Sequence, residues 1–501
     1  MDFIQTQKRM DSNSGQTPTN ESLKTPHIGS LKQDCLSYLE VLSQAISVIA
    51  PSTVPAAILG LIFATAGKGT WLSFVLGMVG LVIVSLNINQ FAKRSASPGS
   101  LYTYIVKGLG PIAGVLSGWG LLFGYMLTGM STLCGFSIFG AMLLNQVGFH
   151  TSVIAWFALG TLGSCYIAYK DIQLSAKMML SFEGASLIAV TVLGFLIWGH
   201  KGFAVDTVQL TLKGASPGGI LTAIVLVVFG FSGFESSTSL GEEAKNPLTS
   251  IPRSVIQSVV FSGAIFTFMA YVVVLGFQDS SEDLGKTDAP LNFLATALGY
   301  GPLGVIINIG ILLSFFSCTL ACINSTARIV FSMARHGLFH DMLGHAHEKN
   351  ETPHYAVFLS ALLTFLIPAA LYLSGISPFD GQGYFGTLCS FGFMLVYILI
   401  SIAAPIYLKT IGQLRKMDLV YSVAGVGFMI LPLIGTIGIP GSSLFPMPTY
   451  PNNILPWLFV VYMAIGLGFL LLQRFRYPAM IPTMKSNIRK VDVHFAEAES
   501  S

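Results

Sequence analysis

The chain has 501 residues, of which 53% are apolar and only 10% are charged, and its net charge is +3. This composition excludes a soluble globular protein, a disordered chain and a secreted disulfide scaffold. The positive charges are spread along the chain, so there is no basic stripe that would capture nucleic acid. A membrane-spanning helix needs about 20 mostly apolar residues, so the apolar content suffices for on the order of a dozen spans.

Long apolar runs bounded by charged or turn residues predict an all-α polytopic membrane protein with twelve transmembrane helices. These predicted spans 1 to 12 are 37–65, 70–92, 112–145, 152–169, 176–199, 217–241, 254–277, 303–333, 355–374, 385–408, 420–440 and 453–473. Residues 1–35 are polar, without the apolar stretch of a signal peptide, and are predicted to form a disordered cytoplasmic tail. Residues 36–474 then form the twelve-helix domain, and 475–501 form a second cytoplasmic tail.

The distribution of Lys and Arg predicts the orientation in the membrane, because positively charged loops are retained in the cytoplasm. With the N-terminus inside, all but four of the 26 basic residues fall on the inner side. The four outer ones are Lys68, Lys201, Lys213 and Lys286. We therefore predict a multi-pass protein of the cell membrane with both termini in the cytoplasm.

The cysteines and histidines give no sign of a metal site. All six cysteines lie in predicted spans or near the N-terminal tail, where disulfides are not expected. Cys318 and Cys322 are one helical turn apart but have no neighbouring His or carboxylate to complete a ligand set. The histidines within 336–354 lack ordered ligand spacing and are predicted to lie in a solvated inner loop. No metal and no other cofactor is predicted.

Two spans carry interruptions where a continuous helix would be expected. In span 1, Pro51 and Pro55 each lack an amide hydrogen and bias the preceding residue away from helical geometry, which predicts a break near 50–54. In span 6, the stretch 229–237 has two glycines and a carboxylate at membrane depth and is predicted to unwind. Pro and Gly can also merely kink a membrane helix. However, matching breaks about 180 residues apart indicate a transporter built from inverted repeats.

Several segments carry a family resemblance. Gly230-Phe231-Ser232-Gly233-Phe234-Glu235, followed by Gly241-Glu242-Glu243-Ala244-Lys245-Asn246-Pro247, resembles the sixth-helix signature of the amino acid/polyamine/organocation (APC) superfamily. The segments 97–104 and 322–338 resemble its loop after helix 2 and the end of its helix 8. The resemblance covers about 36–474 and implies an amino acid permease with a five-plus-five inverted-repeat core, in which helices 1 and 6 are discontinuous, plus two extra helices. The repeats would be about 37–199 and 217–408, with helices 11 and 12 at about 420–473.

The resemblance also implies a substrate site at the two breaks. Its residues would be Ile49, Ser52, Thr53, Phe229, Ser232 and Gly233. Ser52 and Thr53 would offer backbone N–H groups and a hydroxyl to the substrate carboxylate, and carbonyl groups at both breaks would accept the ammonium. Family members commonly have a glycine-rich break in helix 1, whereas this chain has Pro51 before Ser52 and Thr53, so the geometry there is expected to differ.

Three carboxylates are candidates for proton coupling or gating: Glu183 in span 5, Glu235 in span 6 and Glu243 at the inner end of span 6. Neither Glu183 nor Glu235 has a basic partner within its span, and burial favours the neutral form of a carboxyl. Each is therefore either the group that takes up the driving proton or a hydrogen-bonded structural carboxyl. Glu243 and its neighbour Glu242 are expected either to close an inner gate with a basic residue of the nearby loops or to be solvated. The basic candidates are Lys93, Arg94 and Lys107.

These features predict a secondary active transporter of amino acids that works by alternating access and is coupled to protons. The expected pocket side chains are small, apolar or hydroxylated (Phe231, Ser232, Ser317 and Ser390), which favours a neutral substrate. A polyamine or cationic amino acid transporter or exchanger stays open, because pocket glutamates could hold a second amine. The expected partners are a small-molecule substrate, the proton and the lipid bilayer, with no nucleic acid.

Two other classes are weaker alternatives. A membrane-embedded enzyme would have to use the inner-loop histidines beside Asp341, where no nucleophile and base stand at a suitable spacing, so no catalytic residue is predicted. A passive channel needs a continuous pore lining rather than matched broken helices. No phosphate-binding loop of the Gly-x-x-x-x-Gly-Lys-Ser/Thr type is present, so ATP-driven transport is not expected.

Overall fold

A computed structural model of the chain describes residues 30–278, 280–287, 289–476 and 482. Within these ranges all regular elements are helical, and β-type pairing is limited to an isolated bridge between Leu36 and Ala244. Eleven helical stretches of the described chain are long and apolar enough to cross a membrane. The predicted all-α polytopic membrane fold is confirmed. Residues 1–29 and nearly all of the predicted C-terminal tail lie outside the described residues.

The α-helices of the described chain agree with the predicted spans to within a few residues at most boundaries. In chain order they are α1 (Tyr38–Ile49), α2 (Thr53–Ala57), α3 (Leu59–Ala66), α4 (Thr70–Ala92), α5 (Leu101–Leu109), α6 (Pro111–Asn145), α7 (Val153–Lys170), α8 (Ile172–His200), α9 (Thr207–Leu210), α10 (Pro217–Phe231), α11 (Pro247–Gly276), α12 (Pro290–Ala297), α13 (Gly301–Arg335), α14 (His354–Leu373), α15 (Pro378–Thr410), α16 (Lys416–Ile437) and α17 (Leu455–Arg476).

Predicted span 1 consists of three consecutive pieces, α1, α2 and α3. None of them is long enough to cross a membrane alone, although together they cover 38–66. The predicted count of twelve spans depends on whether these pieces act as one, so it stays a prediction. The inverted-repeat relation between the two sets of five spans also stays a prediction.

Proline and small polar residues explain where several helices begin. Pro217, Pro247 and Pro378 are the first residues of α10, α11 and α15, where the missing amide hydrogen costs nothing. The hydroxyl of Ser216 accepts from the amide of Gly219, and the hydroxyl of Ser377 caps α15 in the same way. The apolar runs therefore become helices whose ends are set by residues visible in the sequence.

The centre of the molecule is formed by α6, with α13 and α15 packed against it, and the three helices bury most of their length. Glycines allow the backbones of α6 and α15 to approach closely: a Cβ on Gly392 would lie 2.5 Å from the carbonyl oxygen of Gly120. By contrast, α16 and α17 expose large apolar side chains outward, as a helix facing lipid does. All three central helices also contribute residues to the lining of a central cavity.

Candidate functional site: a cavity between two broken helices

The helix break in span 1 folds back on itself. Helix α1 ends at Ile49, and Ala50 adopts a left-handed conformation with φ 49°. The carbonyl oxygen of Ala50 accepts two hydrogen bonds from Thr53, one from its amide at 2.9 Å and one from its hydroxyl at 2.8 Å. Both Thr53 donors thus already have an acceptor inside the break, which differs from the implied role of binding a substrate carboxylate.

The break in span 6 begins where α10 ends at Phe231 and continues into a short 3-10 helix, Ser236–Leu240. Gly233 lies at its centre with φ 83°, a conformation that favours glycine. A Cβ on Gly233 would also lie 2.2 Å from a methyl group of Val48, so a side chain here would push α1 away. The two breaks are therefore in direct contact, as matched discontinuous helices require.

A small cavity of about 50 Å³ lies at the two breaks, with room for only a few water molecules. Its lining residues come from spans 1, 3, 6, 8 and 10: Val48, Ile49, Ala50, Thr53, Val54, Ala57, Ile58, Thr128, Ser131, Thr132, Phe229, Gly230, Ser232, Phe315, Cys318 and Gln382. None of these described lining residues carries a formal charge.

The lining includes some of the predicted substrate residues and leaves others out. Ile49, Thr53, Phe229 and Ser232 line the cavity, whereas Ser52 and Gly233 do not. Three of the expected pocket side chains also lie elsewhere, namely Phe231, Ser317 and Ser390. The sequence interpretation missed the polar lining from α6 and α15 (Thr128, Ser131, Thr132 and Gln382), because only the packing of distant helices brings these residues to the breaks.

Glu183 connects the break in span 1 to α13. Its carboxylate accepts hydrogen bonds from the hydroxyl of Ser52 at 3.2 Å and from the hydroxyl of Ser314 at 2.5 Å. The side chain is only 2% exposed. Protonation would reverse the contact of the oxygen that carries the proton, because a protonated oxygen donates where a carboxylate oxygen accepts.

Glu235 connects the break in span 6 to the two central helices that flank it. It accepts a hydrogen bond from the hydroxyl of Tyr125 on α6 at 2.7 Å and another from the hydroxyl of Tyr397 on α15 at 2.5 Å. The Tyr397 hydroxyl also accepts the amide of Gly233 at 3.1 Å. The break in span 6 is thus held by a fully buried network that includes its own backbone.

Glu243 forms a buried ion pair, but its partner is different from the predicted ones. The carboxylate meets the guanidinium of Arg328 on α13 at 2.5 Å and 2.9 Å, and both side chains are almost completely buried. The predicted pairing with Lys93, Arg94 or Lys107 is therefore wrong for this structure: Arg94 binds Gln413, and Lys107 binds Ser95. Arg328 stands alone as a cation near the end of a long apolar run, which was the signal that could have identified it.

A short segment at the start of the described chain, residues 31–36, crosses the same side of the molecule, and we call it the strap. The amides of Cys35 and Leu36 both donate to the carbonyl oxygen of Glu243 at 2.9 Å. Lys32 reaches Gln173 at 2.8 Å and Asp171 at 3.4 Å, at the start of α8. The strap thus joins the end of span 6 to the start of α8.

Tyr102 and Tyr104 on α5 are fully buried. The hydroxyl of Tyr102 hydrogen bonds Nδ1 of His336 at 2.9 Å, and the hydroxyl of Tyr104 donates to the carbonyl oxygen of Ser95 at 3.0 Å. Burial lowers the pKa of His336 to about 4, and the charge of Arg335 contributes to this. These contacts fix α5, a helix that the hydropathy pattern did not predict, against the end of α13.

Comparisons with known proteins match most of the chain. A family model described as "Amino acid permease" matches residues 40–440. The branched-chain amino acid permease BcaP of Bacillus subtilis is 24% identical over 69% of this chain and 75% of its own length. The cationic amino acid transporter 4 of Mus musculus is 26% identical over 67% of this chain and 54% of its own. The low-affinity putrescine importer PlaP of Escherichia coli is 25% identical over 59% of this chain and 66% of its own.

Proposed function

Because this chain belongs to the amino acid permease family, we propose that it is a secondary active transporter that carries neutral amino acids across the cell membrane by alternating access, coupled to protons. It is a multi-pass membrane protein, and the relatives described above are transporters by name. Family membership favours transport over membrane-embedded catalysis. The neutral substrate, the proton as driving ion and the orientation in the membrane are proposals.

The observation that carries the choice of substrate is the uncharged lining of the central cavity. A cationic side chain or a second amine would need a counter-charge in this confined space, because an unpaired buried charge is costly. None of the described lining residues supplies one. The nearby carboxylates of Glu183 and Glu235 already accept serine and tyrosine hydroxyls. The α-ammonium and carboxylate of a neutral amino acid would be met by the peptide groups of the two breaks.

Glu183 is the favoured site of proton coupling. It joins Ser52 in the break of span 1 to Ser314 on α13, so proton uptake would change the contact between a cavity-forming segment and its support. Glu235 is held by two tyrosines and by hydrogen bonds that fix the break in span 6, which favours a structural role. Both carboxyls remain candidates until they are tested separately.

The ion pair between Glu243 and Arg328 is the proposed lock on the inner side. The excess of Lys and Arg on that side favours a cytoplasmic location for it and for both termini. Below the cavity, Gln44 on α1 donates to Ser325 on α13 at 3.1 Å, and Ser236 donates to the carbonyl oxygen of Gln44 at 3.2 Å. Opening toward the cytoplasm would separate these contacts together with the ion pair.

The test is uptake of labelled solutes into proteoliposomes, with and without an inward proton gradient. The panel contains neutral, cationic and acidic amino acids and putrescine, and the accumulated solute is recovered to show that it is unchanged. We expect gradient-driven accumulation of neutral amino acids that a protonophore abolishes. Accumulation of only cationic amino acids or putrescine would overturn the neutral assignment, and recovery of a chemically altered solute would overturn transport.

The same assay separates the two carboxyls. We expect Glu183→Gln to exchange substrate across the membrane but to lose accumulation driven by the proton gradient. Glu235→Gln is the matched variant, and we expect it to keep the gradient dependence of whatever uptake it retains. If accumulation stays pH-dependent in both variants, neither carboxyl couples transport to protons.

A further inference from the structure

Phe229 is one of the residues that line the cavity, and its ring rests directly on the backbone of Gly386 in α15. A Cβ built on Gly386 would lie 2.5 Å from Cζ of Phe229 and 3.0 Å and 3.2 Å from its two Cε atoms. Real carbon atoms do not approach so closely without contact strain. Glycine at this position therefore makes the space that the ring occupies.

A side chain at position 386 would do more than crowd the helix contact, because it would displace the ring of Phe229. Protein interiors are close-packed, so a displaced ring moves toward whatever free space adjoins it. Phe229 and Gln382, which lies one turn before Gly386 on α15, both line the cavity, so we expect the displaced ring to move toward it. Restoring normal contact requires a shift of about 1 Å. Such a shift would take up a substantial part of a cavity whose free volume is only about 50 Å³.

We propose that Gly386 sets the largest substrate side chain that this transporter accepts, by letting the ring of Phe229 lie against α15 instead of in the cavity. The inference rests on the proposed function, and it adds the size limit and the residue pair that fixes it. With so little free volume and with Phe229, Phe315 and Ile58 on its walls, the cavity fits small neutral amino acids best. Gly386 acts through Phe229 and is therefore a positioning residue.

The test is a competition series of glycine, alanine, valine, leucine and phenylalanine against a labelled small substrate in proteoliposomes. One methylene group in a tight apolar pocket changes discrimination by roughly 10- to 200-fold. We expect Gly386→Ala to weaken the largest accepted competitor by that factor relative to glycine or alanine. We expect Phe229→Leu to do the opposite and to admit larger competitors, and Phe229→Leu combined with Gly386→Ala to recover the larger ones.

The chain offers a matched control on the same helix. A Cβ on Gly383 would meet nothing within 4 Å, so Gly383→Ala changes the helix composition equally without touching the cavity. We expect its competition series to match that of the wild type. If Gly386→Ala weakens all competitors by the same factor, the glycine serves general packing and the size limit is wrong.

Two further outcomes keep the proposal testable. If Gly386→Ala does not fold, Phe229→Leu alone decides, because an unchanged upper size limit in that variant overturns the inference. The wild-type series is measured first. If it shows no uptake of any amino acid, the proposed function itself fails, and this result differs from a transporter whose size preference ignores position 386.

Discussion

In the proposed transport cycle, the buried ion pair between Glu243 and Arg328 holds the inner side closed, so removing its charge should favour the inner-open state. Glu243→Gln keeps the size and shape of the side chain but removes its charge. The guanidinium of Arg328 would then lose its anionic partner while it stays almost fully buried, and its other acceptors, the carbonyl and side-chain oxygens of Asn324 at 3.0 Å and 3.5 Å, carry no charge. An uncompensated charge in that position strongly favours any conformation in which water reaches it.

The size of the effect follows from the burial of both partners. Removing one member of a buried ion pair costs about 3 to 5 kcal/mol, mostly because the other charge is left unpaired. Each 1.4 kcal/mol corresponds to a tenfold change in an equilibrium constant, so the balance should shift toward the inner-open state by roughly 100- to 1000-fold or more. Such a shift would turn a rarely open inner side into one that is open much of the time.

The assay is alkylation of a cysteine placed at Ser325, on α13 one turn before Arg328, in inside-out vesicles. Ser325 is fully buried and takes part in the contacts between α1 and α13, so a cysteine there should react only when these helices separate. The strap cysteine, Cys35, is changed to Ser in the same background. We expect Glu243→Gln to raise the alkylation rate strongly, and Glu242→Gln, which removes the neighbouring carboxyl, to change it little.

Replacing both partners by apolar residues tests whether the charge pair itself, or only the packing of the two side chains, holds the inner side closed. Buried ion pairs replaced by well-packed apolar side chains are often as stable or more stable than the original. Glu243→Met combined with Arg328→Met should therefore close the inner side again, with low alkylation and slow transport. A wild-type alkylation rate in Glu243→Gln would refute the lock, since an unpaired Arg328 would then be tolerated in the closed state.

Three smaller predictions concern the surrounding network. Tyr397→Phe removes a hydrogen-bond donor to Glu235 and the acceptor of the Gly233 amide, and each unpartnered buried group costs about 1 to 3 kcal/mol. The variant should therefore lower the unfolding temperature in detergent more than Tyr125→Phe does. Equal shifts would contradict this. Burial raises the pKa of Cys35 to about 11, so at neutral pH it should be alkylated about 100-fold more slowly in the native protein than in the denatured chain, and equal rates would mean that the strap is not docked. The pKa of His336 is lowered from 6.5 to about 4, so between these pH values the unfolded chain binds a proton that the folded chain does not bind. Stability should therefore fall as the pH drops from about 6.5 to 4. Unfolding temperatures measured across that range should show this loss in the wild type but not in His336→Gln.

Much of the fold could be predicted because its determinants are local. The runs of apolar residues that cross a membrane are visible without any tertiary information, and prolines such as Pro217 and Pro378 mark where helices begin. The breaks were predictable for the same reason, since Pro51 and Gly233 impose their conformations on the backbone themselves. The short helices α5 and α12 carry no comparable signal, because neither is long enough to show a membrane-length run.

The site was predictable only in part, because its contacts join residues far apart in the chain. The resemblance indicated which segments meet at the cavity, and Ile49, Thr53, Phe229 and Ser232 do line it. It gave no information on how hydrogen-bond donors would be shared. The Thr53 donors turn back to Ala50, which a one-dimensional alignment to a glycine-rich break does not reveal. The partner of Glu243 likewise depends on the packing of span 6 against α13.

The two breaks are held by different hydrogen bonds, and this difference predicts which break moves first. The break in span 6 is fixed through Glu235 to Tyr125 and Tyr397, on two helices of the packed centre, and the Tyr397 hydroxyl also accepts a backbone amide of the break. The break in span 1 is joined to its support through Ser52 and Glu183, a contact that a proton on the carboxyl would rearrange. We therefore expect proton binding to release span 1 first, while span 6 follows only when the lock at Glu243 opens. Distance measurements between spin labels on the inner ends of α1 and α13 should then change with pH in the wild type but not in Glu183→Gln, and a change that persists in that variant would assign the moving proton to another group.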